Sequence, residues 1–249
     1  MINVTGTDKG SYDLLATLKK IGSARIASSG PKGPKLGFIY CSGTWIHGSS
    51  NAAIDDLTPV NVASSPTPAA KIVAWRQPME QEVLAAADVL DTVVLRPALI
   101  YGRSCATWSI FFDPLYTAAQ AGAETVTVAA DTRSRPGLVH VDDVASAFHS
   151  AVERLPLIAG TGIYPVFDLV TSQESMSDIV YAAASELRFP GKVEFAGWGD
   201  NLFAEAMNAN FNGSSGRAKT ILGWEPKKIG FVTGMDVFAQ AWVASKQDA

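Results

Sequence analysis

Two apolar runs constrain the fold of this chain most: LGFIYCSG from Leu36 to Gly43 and DTVVLRPALIYG from Asp91 to Gly102. Neither alternates polar with apolar positions, so neither suits a strand with one wet face. Both suit strands covered on two faces, as in a parallel sheet flanked by helices. Helix signals lie between and around them. Gly10 to Ile21 carries apolar residues at helical spacing, with Gly22 as the expected stop. Gln77 to Ala87 is rich in helix formers, with Pro78 where a first turn tolerates it. Further strands are expected at 125–129 and at Val166 to Val170. Further helices are expected from Asp113 to Ala121, after LVH at the acids Asp142 and Asp143, and from Ser175 to Leu187. Carboxylates suit a helix start because the unpaired N–H groups and the positive dipole end favour them.

The opening MINVTG reads as a short buried strand, and the polar, Pro-punctuated stretch from Ser49 to Pro68 as a long loop. The last third holds Trp198, Phe203, Phe211, Trp224 and Trp242 and reads as a smaller, irregular lobe. Strand–helix alternation without internal repeats predicts an α/β fold with a doubly wound parallel sheet.

Composition narrows the partners. The 249 residues are 47% hydrophobic and 18% charged, which is the balance of a folded core rather than a tail. Net charge is −4 without long single-sign runs, so neither a nucleic-acid groove nor an anionic membrane surface is indicated and a small molecule is the expected partner. Cys41 and Cys105 are too far apart for a metal knuckle and too few for a disulfide framework; both read as buried thiols of a reducing compartment. No apolar run reaches the roughly eighteen residues of a membrane span, and the first residues lack a secretory pattern, so the expected location is cytoplasmic.

Four strings in order carry a resemblance: YCSGTWIHG (Tyr40 to Gly48), RPALIYGR (Arg96 to Arg103), LVHVDDVA (Leu138 to Ala145) and SSGRAKTILGWEP (Ser214 to Pro226). They resemble landmarks of the extended short-chain dehydrogenase/reductases of the NAD-dependent epimerase/dehydratase type. The resemblance implies a Rossmann-like doubly wound sheet, N-terminally truncated, with a smaller C-terminal substrate lobe. It divides the chain into residues 1–130, a partial Rossmann-like domain, and 131–249, mainly the substrate lobe, with 139–153 and 164–170 returning to the core.

The resemblance also implies a hydride transfer between NAD or NADP and a small carbonyl, hydroxyl or nucleotide-sugar substrate. Such a site needs a proton carrier at the reacting oxygen, in this family a Tyr made more acidic by a Lys four residues on. Counting back from Glu80 puts Ile72 at the Tyr position and Arg76 at the Lys position. Isoleucine exchanges no proton, whereas Arg76 keeps its charge and can bind cofactor oxygens. Ser42, favoured, or Thr44 is the expected hydrogen-bond donor to the substrate oxygen. Tyr101 is the one phenol in a matched turn and is carried as a catalytic candidate, while His47 and His140 are read as structural. Arg76, Arg96, Pro97, Ala98 and Ile100 are the expected cofactor contacts, and Arg133, Arg135, Phe203, Met207 and Phe211 the expected substrate-lobe lining.

A dinucleotide site of this kind needs a Gly-rich strand–helix turn for the pyrophosphate, and none occurs in the first forty residues. MINVTG resembles the family's fourth strand, which puts the missing part at roughly seventy residues on the usual βαβαβ spacing. Weakened pyrophosphate binding and self-association through exposed strand edges are the expected consequences. Two alternatives stand beside the oxidoreductase reading: a non-redox or cofactor-independent binding or regulatory member of the same fold, and an inactive fragment.

Overall fold

The computed structural model describes residues 2–3, 8–30, 33–60, 65–228 and 230–247. In chain order the elements are β1 (Ile2–Asn3), α1 (Asp8–Ser29), β2 (Leu36–Cys41), β3 (Ser50–Ile54), α2 (Arg76–Ala85), β4 (Leu90–Pro97), β5 (Leu99–Tyr101), α3 (Ser109–Gln120), β6 (Thr125–Val128) and β7 (Gly137–His140). There follow α4 (Val141–Ile158), β8 (Val166–Leu169), β9 (Ser172–Gln173), α5 (Met176–Glu186), β10 (Lys192–Phe195), α6 (Leu202–Met207), β11 (Phe211–Gly213), α7 (Gly216–Leu222) and α8 (Met235–Gln247). Of the expected opening strand, Met1 and Val4 to Gly6 lie outside the described residues.

Four parallel strands in the order β1-β2-β4-β8 form the main sheet. Its two faces are both covered, as the uniformly apolar runs require. Phe38 and Tyr40 of β2, with Val94 of β4, pack with Leu15 and Leu18 of α1 and with Met79 and Val83 of α2. Ile39, Val93 and Leu95 turn to the other face and meet Val144, Phe148 and Ala151 of α4. Each such side chain contributes about 1.5–3 kcal/mol when fully buried.

The second apolar run serves two sheets. β4 stops at Pro97, Ala98 donates its N–H to the Leu169 carbonyl at 2.9 Å, and β5 joins a separate sheet of order β5-β7-β9. A second core lies beneath that sheet, where Trp108, Phe111 and Phe112 meet Phe231 and Trp242.

Several expectations are corrected. α1 does not end at Gly22 but runs to Ser29, and Gly30, at φ 79°, closes it by donating to the Ile26 carbonyl. Gly22 is there for close approach: a Cβ at that position would stand 2.6 Å from the Val89 carbonyl oxygen. The stretch read as a long loop contains β3, which pairs in parallel with β11 and presents Asn51 to Ala53 to solvent. α3 begins at Ser109, so Pro114 lies inside it rather than in its first turn. The aromatic last third is more regular than expected, with three helices and two short strands among the described residues from 192 onward. α4 is capped by His140, whose Nδ1 accepts from the Asp142 N–H at 3.1 Å. Asp143 instead accepts the backbone N–H groups of Lys227 and Lys228, both at 2.8 Å.

Candidate functional site

In open α/β sheets the crevice beyond the carboxyl ends of the strands is where ligands bind. Here β2 ends at Cys41 and β4 at Pro97, and a cavity of about 310 Å³ opens against both ends. One side of it is polar, formed by Ser42, Gly43, Thr44 and Arg76. The turn from Pro97 to Ile100 forms its floor, and Trp45, Val73 and Phe203 form an apolar wall. The rings of Trp45 and Phe203 meet edge to face, with centroids 6.0 Å apart.

Local backbone logic places these groups. The Ser42 N–H continues the ladder to the Leu95 carbonyl at 2.8 Å, after which the chain leaves the sheet into a tight 3-10 turn, Thr44–His47. Arg76 opens α2, donates from Nη1 to the Cys41 carbonyl at 3.1 Å and lies over the Trp75 ring at 5.1 Å. Among the described residues Ser42 Oγ and Arg76 Nε are buried without a hydrogen-bond partner. A buried unsatisfied donor costs about 1–3 kcal/mol, so two of them at one cavity mark a place for ligand oxygens.

Behind the cavity lies a buried charge network. Arg96 binds Glu80 through Nε, at 3.1 Å from both carboxylate oxygens, and through Nη2, at 2.5 Å from Oε2. His47 Nε2 is 2.9 Å from Asp168 Oδ2, and Asp56 accepts from Arg217 Nη1 at 2.9 Å and from the Asp168 N–H at 3.3 Å. Burial opposes the charge on Arg96, but the Glu80 carboxylate outweighs it and holds the guanidinium charged. Burial raises the Asp56 carboxyl, with Arg217 pulling the other way. The network joins α2, β4, β8 and the 3-10 turn into one rigid support for the cavity wall.

The structure brings Ser42, Thr44, Arg76, Pro97, Ala98 and Ile100 together around the cavity. It does not bring Tyr101 or Arg96 there. Tyr101 is buried in the second core, stacked on Phe231 at 4.7 Å, with its hydroxyl donating to the Lys228 carbonyl at 3.1 Å; burial raises its phenol well above the ordinary value. Arg96 faces Glu80 of α2 and Asp168 of β8, which occupy its guanidinium. The expected substrate-lobe lining is likewise dispersed. Arg133 pairs with Asp131 at the surface, Arg135 is exposed, Met207 lies in the second core and Phe211 stacks on His47, leaving Phe203 at the cavity. Val73 and Thr107 also line it, and no sequence pattern singles them out.

Among the described residues the lining contains no Tyr, Lys, His, Asp or Glu. Its Cys41 thiol is pushed up by burial to about 11, against the pull of Arg76. The Tyr40 phenol, adjacent in β2, is pushed by burial to about 12 and does not reach the lining. The cavity therefore offers hydrogen-bond donors and a fixed positive charge rather than a group poised to exchange a proton near neutrality. These donors fit the amide and ribose oxygens of a nicotinamide half. Among the described strand-to-helix turns of the main sheet none is a Gly-rich pyrophosphate cradle, and the β1–α1 turn lies outside the described residues.

No protein-family model matches the chain, and no curated protein matches it. Solved structures do. A dTDP-glucose 4,6-dehydratase from Bacillus anthracis, in complex with NAD, aligns with a TM-score of 0.70 at 16% identity, over 99% of this chain and 73% of that one. A conserved protein of unknown function from Silicibacter pomeroyi aligns with a TM-score of 0.67 at 22% identity, over 98% of this chain and 77% of that one. RMD from Pseudomonas aeruginosa, complexed with NADPH, aligns with a TM-score of 0.65 at 16% identity, over 98% of this chain and 81% of that one. The match runs across nearly the whole chain, and the fold is that of the NAD-dependent epimerase/dehydratase structures.

Proposed function

Taking that fold as the premise, we propose that the chain is an NAD(P)-dependent oxidoreductase of epimerase/dehydratase type, acting on a small carbonyl or hydroxyl compound in the crevice at the ends of β2 and β4. One observation carries the reading: Ser42, Thr44, Arg76 and the Pro97 to Ile100 turn converge on one cavity, where Ser42 Oγ and Arg76 Nε have no protein partner. The Pro97 to Ile100 turn and Arg76 would hold the nicotinamide half of the cofactor, which supplies a hydride acceptor or donor when bound. Ser42 and Thr44 donate hydrogen bonds to the oxygen on the reacting carbon, and Arg76 stabilises negative charge developing there. Trp45 and Phe203 exclude water from that oxygen, which strengthens both interactions. Among the described lining residues none is a group that exchanges a proton near neutrality, so the role left to Ser42 and Thr44 is to polarise the reacting oxygen.

The same lack of a phenol favours a second reading, a non-redox binding protein of the same fold. Titration with NADH and NADPH, followed by quenching of tryptophan emission, separates them when combined with a panel of carbonyl substrates. Quenching with turnover is the expected result. Binding of carbonyl compounds without cofactor quenching supports the second reading, and flat traces from a folded sample overturn the first.

A further inference from the structure

We propose that the short 3-10 turn Lys71–Val73 is a flap over the crevice, latched shut onto α6 by the ion pair of Lys71 with Glu205. The inference rests on the crevice being a ligand site and concerns entry and exit; it gives the ligand no new contact.

Two elements that border the crevice meet at this pair. Val73, the last residue of the turn, lines the cavity, and so does Phe203 of α6. Lys71 Nζ lies 3.6 Å from Oε2 of Glu205, which follows Phe203 in the same helix. The pair therefore ties one lining element to the other. Its side chains are 72% and 35% exposed, so salt screens it and solvent competes for both charges. A contact that weak supports no wall, yet it can bias a small segment between closed and open.

The two sides are unequally anchored. In α6, Ala204, Ala206 and Met207 are buried, and Asn208 at its end donates from Nδ2 to the Ala129 carbonyl at 3.0 Å and accepts from the Asp131 N–H at 2.9 Å. That side is fixed. In the turn, Lys71 and Ile72 face solvent, Val73 alone is buried, and no side chain caps its start. Its backbone is closed by two hydrogen bonds, Val73 N–H to the Ala70 carbonyl at 2.9 Å and Ala74 N–H to the Lys71 carbonyl at 3.3 Å. Firm ties flank it: Ala70 N–H donates to the Trp45 carbonyl at 2.9 Å, and Arg76 Nη1 to the Cys41 carbonyl at 3.1 Å. A segment with one buried side chain and two exposed ones, held between fixed points, belongs to the part of a fold that opens locally. Its opening withdraws Val73 from the cavity wall while leaving α6 in place.

A latch that closes the free and the liganded protein alike slows entry and exit equally. Stopped-flow mixing of the intact protein with NADH, followed by tryptophan quenching, tests this. Lys71→Gln and Glu205→Gln are each expected to raise the association and dissociation rates together, by about two- to fivefold, with Kd unchanged within about twofold. The charge-swapped double variant Lys71→Glu, Glu205→Lys is expected to return both rates to those of wild type. A faster dissociation alone makes the pair part of the binding wall, and unchanged rates make it a bystander; either result overturns the proposal. If folded wild-type protein binds neither NADH nor NADPH, the cofactor reading falls and hydrogen exchange still reads the flap. The Val73 and Ala74 amides are then expected to exchange about two- to fivefold faster in Lys71→Gln than in wild type, and equal exchange overturns the proposal.

Discussion

Arg96 and Glu80 close a buried, two-pronged ion pair between β4 and α2, with both side chains at most 2% exposed. Removing one partner leaves the other charge stranded out of water. Glu80→Ala is expected to lower stability by about 3–5 kcal/mol, read as the shift of a urea unfolding midpoint at constant slope. The double variant Glu80→Leu, Arg96→Met should recover part of that loss but not all, because Asp168, 3.8 Å from Arg96, then keeps only His47. A double variant weaker than the sum of the singles would contradict this arrangement.

Gly22 sits inside α1, where alanine ordinarily adds up to about 1 kcal/mol of helix stability. Here the sign reverses. A Cβ would meet the Val89 carbonyl oxygen at 2.6 Å and a Leu90 methyl carbon at 3.1 Å, and backbone gives way poorly. Gly22→Ala is expected to lower the thermal midpoint, by about 1–3 kcal/mol in free energy; a raised midpoint would show that the helix stands further from β4 than described.

Alkaline pH should weaken the fold. Burial pushes the Cys41 and Cys105 thiols up to about 11 and the Tyr40 phenol up to about 12. These groups hold their protons more tightly when folded, so their stabilisation is complete below the unfolded values and is lost as pH rises through the folded ones. Denaturant midpoints are expected to fall from about pH 9 towards pH 12. Tyr40→Phe should make that decline shallower; an unchanged decline would place the sensitivity elsewhere.

Tyr101 and Ser42 separate stability from binding. Tyr101→Phe removes one hydrogen bond to the Lys228 carbonyl and is expected to cost about 1 kcal/mol, leaving ligand titrations as in wild type. Ser42→Ala is expected to do the reverse, weakening ligand binding several-fold with little change in the melt. Equal binding defects in both variants would mean that the second core and the crevice are not separate.

Much of the main sheet is legible in the sequence because β2, β4 and β8 are buried on both faces, and a continuous apolar run has few other destinations. β3 is not legible. Its exposed residues look like loop, and its partner β11 lies about 160 positions away, a pairing no local pattern encodes. Gly22 reads as a stop because sequence alone cannot tell a glycine that ends a helix from one that admits a neighbouring backbone. At the site, Ser42, Thr44 and Arg76 are found through the matched strings. Arg96 and Tyr101 sit in an equally well matched string, yet strand alternation and the passage between sheets turn them elsewhere. Trp45 belongs to a matched string without being singled out, and Val73 and Thr107 reach the cavity through turns whose course only the folded chain fixes.

The passage of one strand run through two sheets at Ala98 fixes the length of that segment. An extra residue inserted there would rotate everything after it by half a turn, sending Leu99 and Tyr101 outward and Ile100 inward. Aromatic stacking on Phe231 and the cavity floor would fail in a single step. Substitutions can accumulate along this stretch, but insertions and deletions cannot, so its residue count should be the most invariant dimension of the molecule.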